Sequence, residues 1–502
     1  MVVRWLLLLL VPVSILMVPV PSGLTPLAWK IFAVYIAAIL GLILRPAGEA
    51  VVMLSVIAFG SFIVPVGQLL SGYGNGTVWL VFTAFLITQA FADTGLGRRV
   101  AYWMIGRFGK SSLGLVYGQM LTDLILSPAT PSNTARSGGI VYPIFRNVAS
   151  TLNSEPEDNP RRIGSYITIS GYAISLSTSA VFLTACAPNI LTVGFARDIL
   201  KVDISWMDWF IGLAFPALLA CLVVPYLIYK VYPPELKEIS NHKELSAQGL
   251  REIGPMTGKE KLLVIFFVLA ILGWATSSFT KLDGTAVALL FFACCAIFKL
   301  IDWKNVLANN GAWNTLIWYG AIMGISGILS KAKFFVWLAK VVGEHMNFVG
   351  VNQALVMGIL LVISILVRYV FASMGAYVGA FIPVLFTLGL VAQVPPLPLV
   401  FLLGASSAYG CLLTHYGGAV GPVLFGTGYV PQKTWWKIGA VSHLFSTHGR
   451  EAESHHKGKG NCGKGIHDRT QGNTEIRCQG CISSSRDLVQ CTFTHKVREQ
   501  VG

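Results

Sequence analysis

Charged residues are scarce in this sequence of 502 residues, because Asp, Glu, Lys and Arg make up only 12% of it. An ordinary soluble domain is about 25% charged, so soluble enzymes, nucleic-acid-binding proteins and disordered scaffolds are poor fits. No nucleic-acid partner is therefore expected. Cysteine is also sparse, with nine in the whole chain, which excludes a secreted scaffold held together by disulfides. Acidic residues are fewer than basic ones, and the net charge of +14 is typical of basic loops on one side of a bilayer.

Apolar residues are abundant: they make up 54% of the chain, and its mean hydropathy is +0.66. A helix needs roughly 20 mostly apolar residues to cross a bilayer. Such runs lie near residues 5–20, 26–44, 47–66, 76–96, 111–127, 137–152, 163–200, 206–229, 260–278, 283–300, 311–330, 351–372, 374–392, 396–430 and 432–445. The sequence therefore predicts an all-α polytopic membrane protein with about 11 transmembrane helices, embedded in a lipid bilayer.

The first apolar run follows Arg4, and a signal peptide is the alternative interpretation for it. The run lacks a small-x-small cleavage site, and a second apolar run follows at once. We therefore interpret residues 1–25 as a first transmembrane span.

Two pairs of apolar runs are joined by only a few small polar residues, which predicts two re-entrant hairpins, at 111–152 and 351–392. If the N-terminus is cytoplasmic and each hairpin enters from one side, most Lys and Arg residues fall on the cytoplasmic side. The opposite side then holds Lys30, Lys201, Lys281, Lys331, Lys333 and Lys340. This bias is the one expected of a correctly oriented membrane protein, so a multi-pass topology with a cytoplasmic N-terminus is predicted.

The two halves of the chain resemble each other weakly. Three pairs of similar features are separated by 234 to 241 residues: Thr77–Phe82 with Asn314–Tyr319, Ser132 with Ser373, and Pro188 with Pro422. An odd number of crossings between the copies makes the second copy inverted, as in many transporters.

These repeats give a plan for the whole chain. It consists of a first span at 1–25, a first inverted repeat at 26–230 with a broken helix at 163–200, a cytoplasmic linker at 231–259, a second repeat at 260–445 with a broken helix at 396–430, and a polar tail at 446–502. Non-helical backbone is tolerated at bilayer depth where it lines a cavity or is packed in protein. Two hairpin tips and two helix breaks therefore predict a binding site near the midplane.

The segment Ser127–Gly139 carries the strongest functional signal. Its prolines and glycines stop the helices, while the hydroxyl and amide groups of Ser132, Asn133 and Thr134 offer compact hydrogen-bonding groups. Carboxylate recognition uses such groups together with backbone N–H groups at a helix start. A solvent-exposed turn is the alternative, but long apolar runs on both sides favour a binding site.

Three arginines lie within apolar runs, where an ionisable residue is a functional hypothesis by default. Arg136 sits beside the first tip and could pair with a substrate carboxylate in bidentate geometry, or act as a fixed positive charge where a relative would bind a cation. Reaching out to the membrane interface is the alternative. That alternative suits Arg197, which is next to Asp198, while the role of Arg368 stays open.

The breaks and the second tip supply further candidates. Pro188 and Asn189 interrupt what would otherwise be one long span. Thr414 and His415 lie in the matching region of the second half, where the histidine could donate to a carboxylate or titrate. Ser373 contributes a single hydroxyl group, and we include it as a candidate because its position in the second half corresponds to that of Ser132 in the first. For each of these residues, a purely structural role is the alternative.

The motifs PSNTARSGG, VWLVFTAF with TGLGRR, CAPN, VRYVFAS, and CLLTHYGG with LFGTGYV resemble the divalent anion:sodium symporter (DASS) family, from about residue 20 to about residue 440. The closer resemblance is to its citrate/succinate antiporter and 2-oxoglutarate/malate translocator branch. It implies a homodimer with scaffold and elevator-type transport domains. It also implies that Ser132, Asn133 and Thr134 form the first tip, that Pro188 and Asn189 lie at the first break, and that Thr414 and the glycines after it lie at the second.

The chain departs from this pattern at the second tip, which is often Ser-Asn-Thr in the family. Ser373-Met374-Gly375 keeps only the serine, so a complete second sodium site is not expected. Arg136 and His415 bring cationic groups near both breaks. We hypothesise that these groups replace sodium in holding a dianion. An empty carrier with fixed positive charge would then return poorly, which makes exchange obligatory.

The sequence thus predicts a bacterial inner-membrane antiporter, not an enzyme, which exchanges citrate, tartrate, malate or 2-oxoglutarate for succinate or another dicarboxylate. The nearest alternative is a sodium-coupled symporter of the same anions, with a sodium ion at the first tip. Otherwise no cofactor or metal is expected. A membrane-embedded enzyme would need a metal motif or a nucleophile–base set at bilayer depth, and a channel would not need broken helices.

The tail differs in character from the rest of the chain. From residue 446 the sequence is polar and shows no periodicity. Cys478 and Cys481 have the spacing of a zinc-ligand pair, but Cys462 and Cys491 fit no ordinary zinc finger around them. We expect a frameshifted or disordered end, and a last helix that is shorter than its counterpart at 206–229.

Overall fold

The computed structural model describes residues 2–345, 352–371 and 373–448, and these ranges contain helices and no strand. The prediction of an all-α chain is therefore confirmed for the described residues. The polar tail predicted at 446–502 lies outside them from residue 449 onward, as does Ala372 of the second predicted tip.

Eleven α-helices precede the predicted linker: α1 Val2–Met17, α2 Pro26–Leu44, α3 Glu49–Gly60, α4 Val66–Leu69, α5 Gly76–Thr94, α6 Leu96–Phe108, α7 Ser112–Leu126, α8 Tyr142–Thr151, α9 Gly164–Val181, α10 Ala187–Phe195 and α11 Trp206–Val231. Short 3-10 segments occur at Leu70–Gly74, Ser127–Ala129 and Leu183–Ala185, and π-helical segments at Thr134–Val141 and Ala196–Leu200. The irregular segments interrupt the helices at both places where the first half was predicted to break.

Within the predicted linker, α12 His242–Ile253 is helical. The second half then contains α13 Gly258–Ala275, α14 Ser277–Thr280, α15 Gly284–Ile297, α16 Trp303–Ala308, α17 Asn310–Lys331, α18 Phe334–His345, α19 Gln353–Arg368, α20 Met374–Val391, α21 Pro396–Tyr409, α22 Gly421–Phe425 and α23 Gln432–His448. The second break is irregular from Gly410 to Val420, between α21 and α22.

Five of the described helices are long and apolar enough to cross a bilayer: α2, α5, α11, α17 and α20. Shorter apolar helices accompany them, namely α1, α3, α15, α19 and α21. Many of their large apolar side chains point outward: Ile211 and Phe215 on α11 are 71% and 61% exposed. An outward apolar surface of this kind suits a protein whose surroundings are lipid.

Local sequence explains where several of these helices begin. The Thr25 hydroxyl accepts a hydrogen bond from the Ala28 amide at the start of α2. Ser205 and Asp208 form a reciprocal capping box at the start of α11, and Thr257 and Glu260 form another at α13. These side chains satisfy amide groups that a helix start leaves without partners.

The helices pack into two groups. In the first, α2, α3 and α5 surround α17, and α15 packs against α5. In the second, α9 packs against α7, α8, α11 and α21, while α20 packs against α10, α19 and α21. Both predicted tips and both predicted breaks belong to the second group.

A very close backbone approach anchors the first group. The 3-10 segment Leu70–Gly74 lies in a groove on α17 made by Gly320 and Gly324, which are four residues apart. The Tyr73 hydroxyl donates to the Ile317 carbonyl at 2.8 Å in the same groove. Small residues at this spacing let backbones approach each other within a membrane.

A buried ion pair connects α6 in the first half to Glu260, where the linker joins the second repeat. The Arg99 guanidinium on α6 donates to both carboxylate oxygens of Glu260, at 2.7 and 3.1 Å. It also donates to the carbonyls of Gly254 and Pro255. Both side chains are at most 5% exposed, so the pair fixes the end of the linker against α6.

Candidate functional site

The first tip lies between the helical arms α7 and α8. The Ser132 hydroxyl accepts a hydrogen bond from the Ala135 amide at 3.2 Å, which starts the second arm. Asn133 is buried, and its Oδ1 accepts from the Ser179 hydroxyl at 2.8 Å. The side chains of Ser132 and Thr134 are partly exposed beside it. Hydroxyl and amide groups are therefore concentrated at the point where a new helix begins.

The first break contacts this tip directly. The Ala187 amide, at the start of α10, donates to the Pro131 carbonyl at 2.9 Å. Pro188 occupies the first turn of α10, where a missing N–H costs nothing. The Asn189 side-chain amide donates to the carbonyls of Ser179 and Phe182, at 2.7 and 3.2 Å, and so bridges the interruption.

Arg136 is fully buried and joins the tip to the break. Its Nη1 donates to the Thr130 carbonyl at 2.6 Å and to the Ala185 carbonyl at 2.8 Å. Its Nη2 lies 3.3 Å from the hydroxyl oxygens of both Thr178 and Ser179. Because its N–H groups all donate to groups of the protein, Arg136 has no free pair of donors for a substrate carboxylate in this arrangement.

Asp123 completes this cluster, although it is not among the residues predicted from the sequence. Its Oδ2 accepts from Arg136 Nε at 3.0 Å, and it also accepts hydrogen bonds from the Ser137 and Thr178 hydroxyls. The Arg136 and Asp123 side chains are at most 1% exposed. The sequence does contain an indication of this pair, because an acidic residue within the apolar run of α7 needs a partner.

The second tip lies between α19 and α20. The Ser373 hydroxyl accepts from the Ala376 amide at 3.3 Å, which starts α20 as Ser132 starts the arm of the first tip. Met374 is buried, and its Sδ lies 3.8 Å from the Cys186 thiol at the first break. The second tip thus contacts the first half of the chain through two sulfur atoms.

The second break is held from the first half by Tyr172 on α9. Its hydroxyl lies 2.7 Å from the Cys411 carbonyl and 3.0 Å from the Thr414 carbonyl. The Thr414 hydroxyl is buried and has no hydrogen-bond partner among the described residues. Buried hydroxyls in folded proteins are nearly always hydrogen-bonded. A ligand could supply the partner that the Thr414 hydroxyl lacks.

His415 sits at the edge of the second break. Its side chain is partly exposed, and its ring stacks on Phe425 with centroids 4.2 Å apart. Its Nδ1 accepts from Trp436 Nε1 at 3.2 Å. Among the described residues, no hydrogen bond or ring contact joins its side chain to either tip. The sequence-predicted histidine therefore lies at the break without a polar link to the tips.

Arg368 is the residue that joins the second tip to the second break. It is fully buried at the end of α19. Its Nη1 donates to the Phe371 carbonyl at 2.7 Å, and its Nη2 donates to the Gly417 carbonyl. The arrangement matches that of Arg136, because each guanidinium connects a carbonyl near a tip to a carbonyl at a break.

A cavity of about 510 Å³ borders the first break through Leu183 and Thr184. Its lining also includes Arg197 and Lys281, along with several acidic side chains. Arg197 is half exposed and pairs with Asp203, so its charge is balanced at the surface and it does not join the buried cluster.

This chain is similar to known proteins over nearly all of its described residues. A family model for the sodium:sulfate symporter transmembrane region matches residues 1–447. Inner membrane protein YbhI of Escherichia coli K12 is 46% identical over 448 residues, covering 87% of this chain and 93% of that protein. The L-tartrate/succinate antiporter of the same strain is 34% identical over 463 residues, covering 88% and 94%.

Among solved structures, MtrF of Neisseria gonorrhoeae, described as one of a class of antimetabolite efflux pumps, aligns with a TM-score of 0.54. The alignment covers 89% of this chain and 91% of MtrF, at 12% identity, so it supports a transporter-type fold only. The family model and the two relatives carry the assignment. The chain is a membrane transporter that belongs to the sodium:sulfate symporter transmembrane-region family, which is the divalent anion:sodium symporter family.

Proposed function

We propose that this protein is an inner-membrane antiporter that exchanges citrate, tartrate, malate or 2-oxoglutarate for succinate or another dicarboxylate. The observation that carries the proposal is the environment of Arg136. Its guanidinium is surrounded by two backbone carbonyls, two hydroxyls and one carboxylate. Transporters bind sodium with unwound-backbone carbonyls and neighbouring oxygens of this kind.

A sodium ion at the first tip does not fit this arrangement. The oxygens that it would use already accept hydrogen bonds from a guanidinium, which is permanently charged. At the second tip, the Ser373 hydroxyl caps α20, and Met374 contributes a thioether instead of an amide oxygen. Both differences favour a carrier that needs no sodium. A sodium-coupled symporter is the alternative, and the experiment below distinguishes the two.

The polar groups at the first tip and the second break suit a carboxylate substrate. The Asn133 side-chain amide and the hydroxyls of Ser132 and Thr134 lie at the first tip, and the buried Thr414 hydroxyl lies at the second break. Short neutral donors of this type bind carboxylate oxygens without fixing one geometry. The name of the tartrate/succinate antiporter, a relative over most of this chain, points to the same class of substrate.

The mechanism that we propose is alternating access by an elevator-type movement. The tips and breaks would form a transport domain, while the helices around α17 would form a scaffold domain. This assignment includes the inverted repeats at 26–230 and 260–445, the two re-entrant hairpins, about 11 transmembrane helices, a homodimer and a cytoplasmic N-terminus. The cavity beside Thr184 would give access to the first break from one side of the membrane.

Liposomes loaded with unlabelled succinate test the proposal. We expect labelled succinate to enter them equally well in sodium and in potassium buffer, because the Arg136 guanidinium already occupies the oxygens that a sodium ion at the first tip would use. Liposomes without internal anion should take up little label. Entry into empty liposomes that requires sodium would contradict the exchange mechanism and support symport, whereas protein-free liposomes control for leakage.

Tyr172→Phe tests whether the second break takes part in transport. Removing the hydroxyl leaves the Cys411 and Thr414 carbonyls without this donor, and an unsatisfied buried group costs about 1–3 kcal/mol. We expect a lower unfolding temperature and a several-fold slower exchange. Tyr166→Phe is the matched control, because that hydroxyl is on the same helix and donates to the Pro225 carbonyl on α11 instead of to the second break. Equal slowing by both variants would show a general effect of stability.

A further inference from the structure

The cavity beside the first break lies on the boundary between the two groups of helices. From the group around α17, it is lined by Thr77 and Leu80 of α5 and by Thr285 of α15. From the group that holds the tips, it is lined by Leu183 and Thr184, in the 3-10 segment of the first break. A movement of one group against the other would therefore change the walls of this cavity directly.

Trp206, the first residue of α11, connects the cavity wall to the break. Its indole N–H donates to the Thr184 hydroxyl at 3.0 Å, and its ring stacks on Phe182 with centroids 5.4 Å apart. The same ring stacks on Trp274 of α13, with centroids 6.4 Å apart. Because α13 packs against α15, Trp206 joins the interrupted segment to helices outside the group that holds the tips.

The residues that follow Thr184 contact both tips. The Ala185 carbonyl accepts from Arg136 at 2.8 Å, and the Cys186 thiol lies 3.8 Å from Met374 Sδ. The Thr184 hydroxyl accepts from the indole but donates to no group among the described residues. The cavity wall therefore ends within two residues of the point where the first break meets the second tip.

The charges around the cavity are compatible with a dissolved anion. Each carboxylate that lines it has a partner: Asp203 pairs with Arg197, whereas Asp208 and Asp283 accept backbone amide hydrogen bonds at the starts of α11 and α15. Helix starts stabilise such carboxylates through their dipoles. Lys281 also lines the cavity and forms no ion pair with the described residues, so one cation stays available to an entering anion.

We propose that Trp206 is the gate through which a dicarboxylate in this cavity reaches the first break. This inference rests on the proposed function. In the arrangement that the structure shows, the indole holds the Thr184 hydroxyl and the gate is closed. When this hydrogen bond breaks, the hydroxyl is released at the inner end of the cavity, and a carboxylate oxygen can accept a hydrogen bond from it.

The contact between Trp206 and Trp274 explains how the gate follows the movement of the helix groups. The two rings belong to helices on either side of the boundary, and the Ser205 and Ser278 hydroxyls lie 3.2 Å apart across the same boundary. A displacement of the tip group would break both contacts at once. The indole would then lose its support from α13 and could turn away from Thr184.

Trp206→Phe tests the gate, because phenylalanine keeps an aromatic ring for the stack and removes the N–H group. Cys186 is the natural reporter: it is 4% exposed and lies two residues beyond Thr184. We expect a membrane-impermeant methanethiosulfonate to modify Cys186 about 2- to 10-fold faster than in the wild type, since one neutral hydrogen bond is lost. Mass spectrometry of the peptide that contains Cys186 measures the rate.

The acceleration should occur from one face of the membrane only. Intact cells expose one face to the reagent and inside-out membrane vesicles expose the other. Succinate should slow the modification, because a bound anion would occupy the break. Equal acceleration from both faces would contradict a gate on a single access route.

Two further variants control for folding and for general loosening. Thr184→Val removes the same hydrogen bond from the other partner and should accelerate the modification equally, even if Trp206→Phe does not fold. Trp209→Phe is the matched control, because that indole is on the same helix and donates to the Ala180 carbonyl at 3.1 Å. It should leave Cys186 as protected as in the wild type. Acceleration by Trp209→Phe, or none by the other two variants, would overturn the role of Trp206.

Modification of Cys186 requires no transport, so the two proposals can fail separately. If the wild type exchanges dicarboxylates and the variants are modified at the wild-type rate, the gate is wrong and the proposed function stands. If the wild type moves no dicarboxylate in either kind of liposome, the proposed function fails, and with it the identity of the anion on this route. The modification rates then still decide whether Trp206 closes the cavity.

Discussion

Asp123→Asn is expected to lower the free energy of unfolding by about 3–5 kcal/mol and to abolish exchange. This is the cost of breaking a buried ion pair by removing one partner. The Arg136 guanidinium would remain fully buried with carbonyls and hydroxyls but no counter-charge. Because the same guanidinium joins the first tip to the first break, both segments would lose their fixed positions together.

Chemical unfolding in detergent and succinate counterflow measure these two effects. Asp203→Asn is the matched control, because Asp203 also pairs with an arginine, Arg197, but the two side chains are 78% and 57% exposed. Exposed pairs contribute at most about 1 kcal/mol, so this variant should unfold and transport almost as the wild type does. An Asp123→Asn protein of normal stability and activity would mean that the buried pair does not hold the tip.

Gly72→Ala is expected to be nearly as damaging, through packing instead of charge. A Cβ atom at Gly72 would lie 2.0 Å from the Gly320 carbonyl oxygen and 2.3 Å from the Gly324 amide nitrogen. Both are backbone atoms of α17, so the 3-10 segment would have to leave its groove. We expect a loss of about 3 kcal/mol, at the upper end of the cost of overpacking a core.

Gly67→Ala provides the comparison for this prediction. Nothing lies within 4 Å of a Cβ placed there, and Gly67 is helical, so alanine should leave stability unchanged or raise it slightly. Thermal unfolding of both variants in detergent distinguishes a local clash from a general effect of alanine. Equal unfolding temperatures for Gly72→Ala and the wild type would mean that the groove on α17 is wider than the structure indicates.

The interruptions of the helices could be predicted from sequence because their causes are local. Proline lacks an N–H group and limits the backbone, so Pro131 and Pro188 indicate where a helix stops or starts. The structure has irregular backbone in both places. The ion pair at Arg136 could not be predicted in the same way, because Asp123 lies on the opposite arm of the tip and the pairing depends on how the arms approach.

The internal repeat drew attention to one cationic residue of the second half and not to another. It favoured His415, which lies in the region that matches the first break, and it left the role of Arg368 open. Arg136 follows its tip serine by four residues, whereas Arg368 precedes Ser373 by five. Aligning the two halves therefore does not bring the two arginines together. Their likeness lies in the carbonyls that they contact, and side-chain direction near a tip cannot be read from sequence.

The pairing of Asp123 with Arg136 has a consequence for how the protein is made. A lone charged side chain adds about 3 kcal/mol to the cost of inserting an apolar helix from the translocon. Asp123 and Arg136 lie on the two arms of one helix pair, so the first pair can enter the bilayer as a neutral unit during synthesis. The second pair carries Arg368 without an acid of its own. Its guanidinium uses a carbonyl of the second break, that of Gly417, so we expect its integration to be completed only after Gly417 has been synthesised.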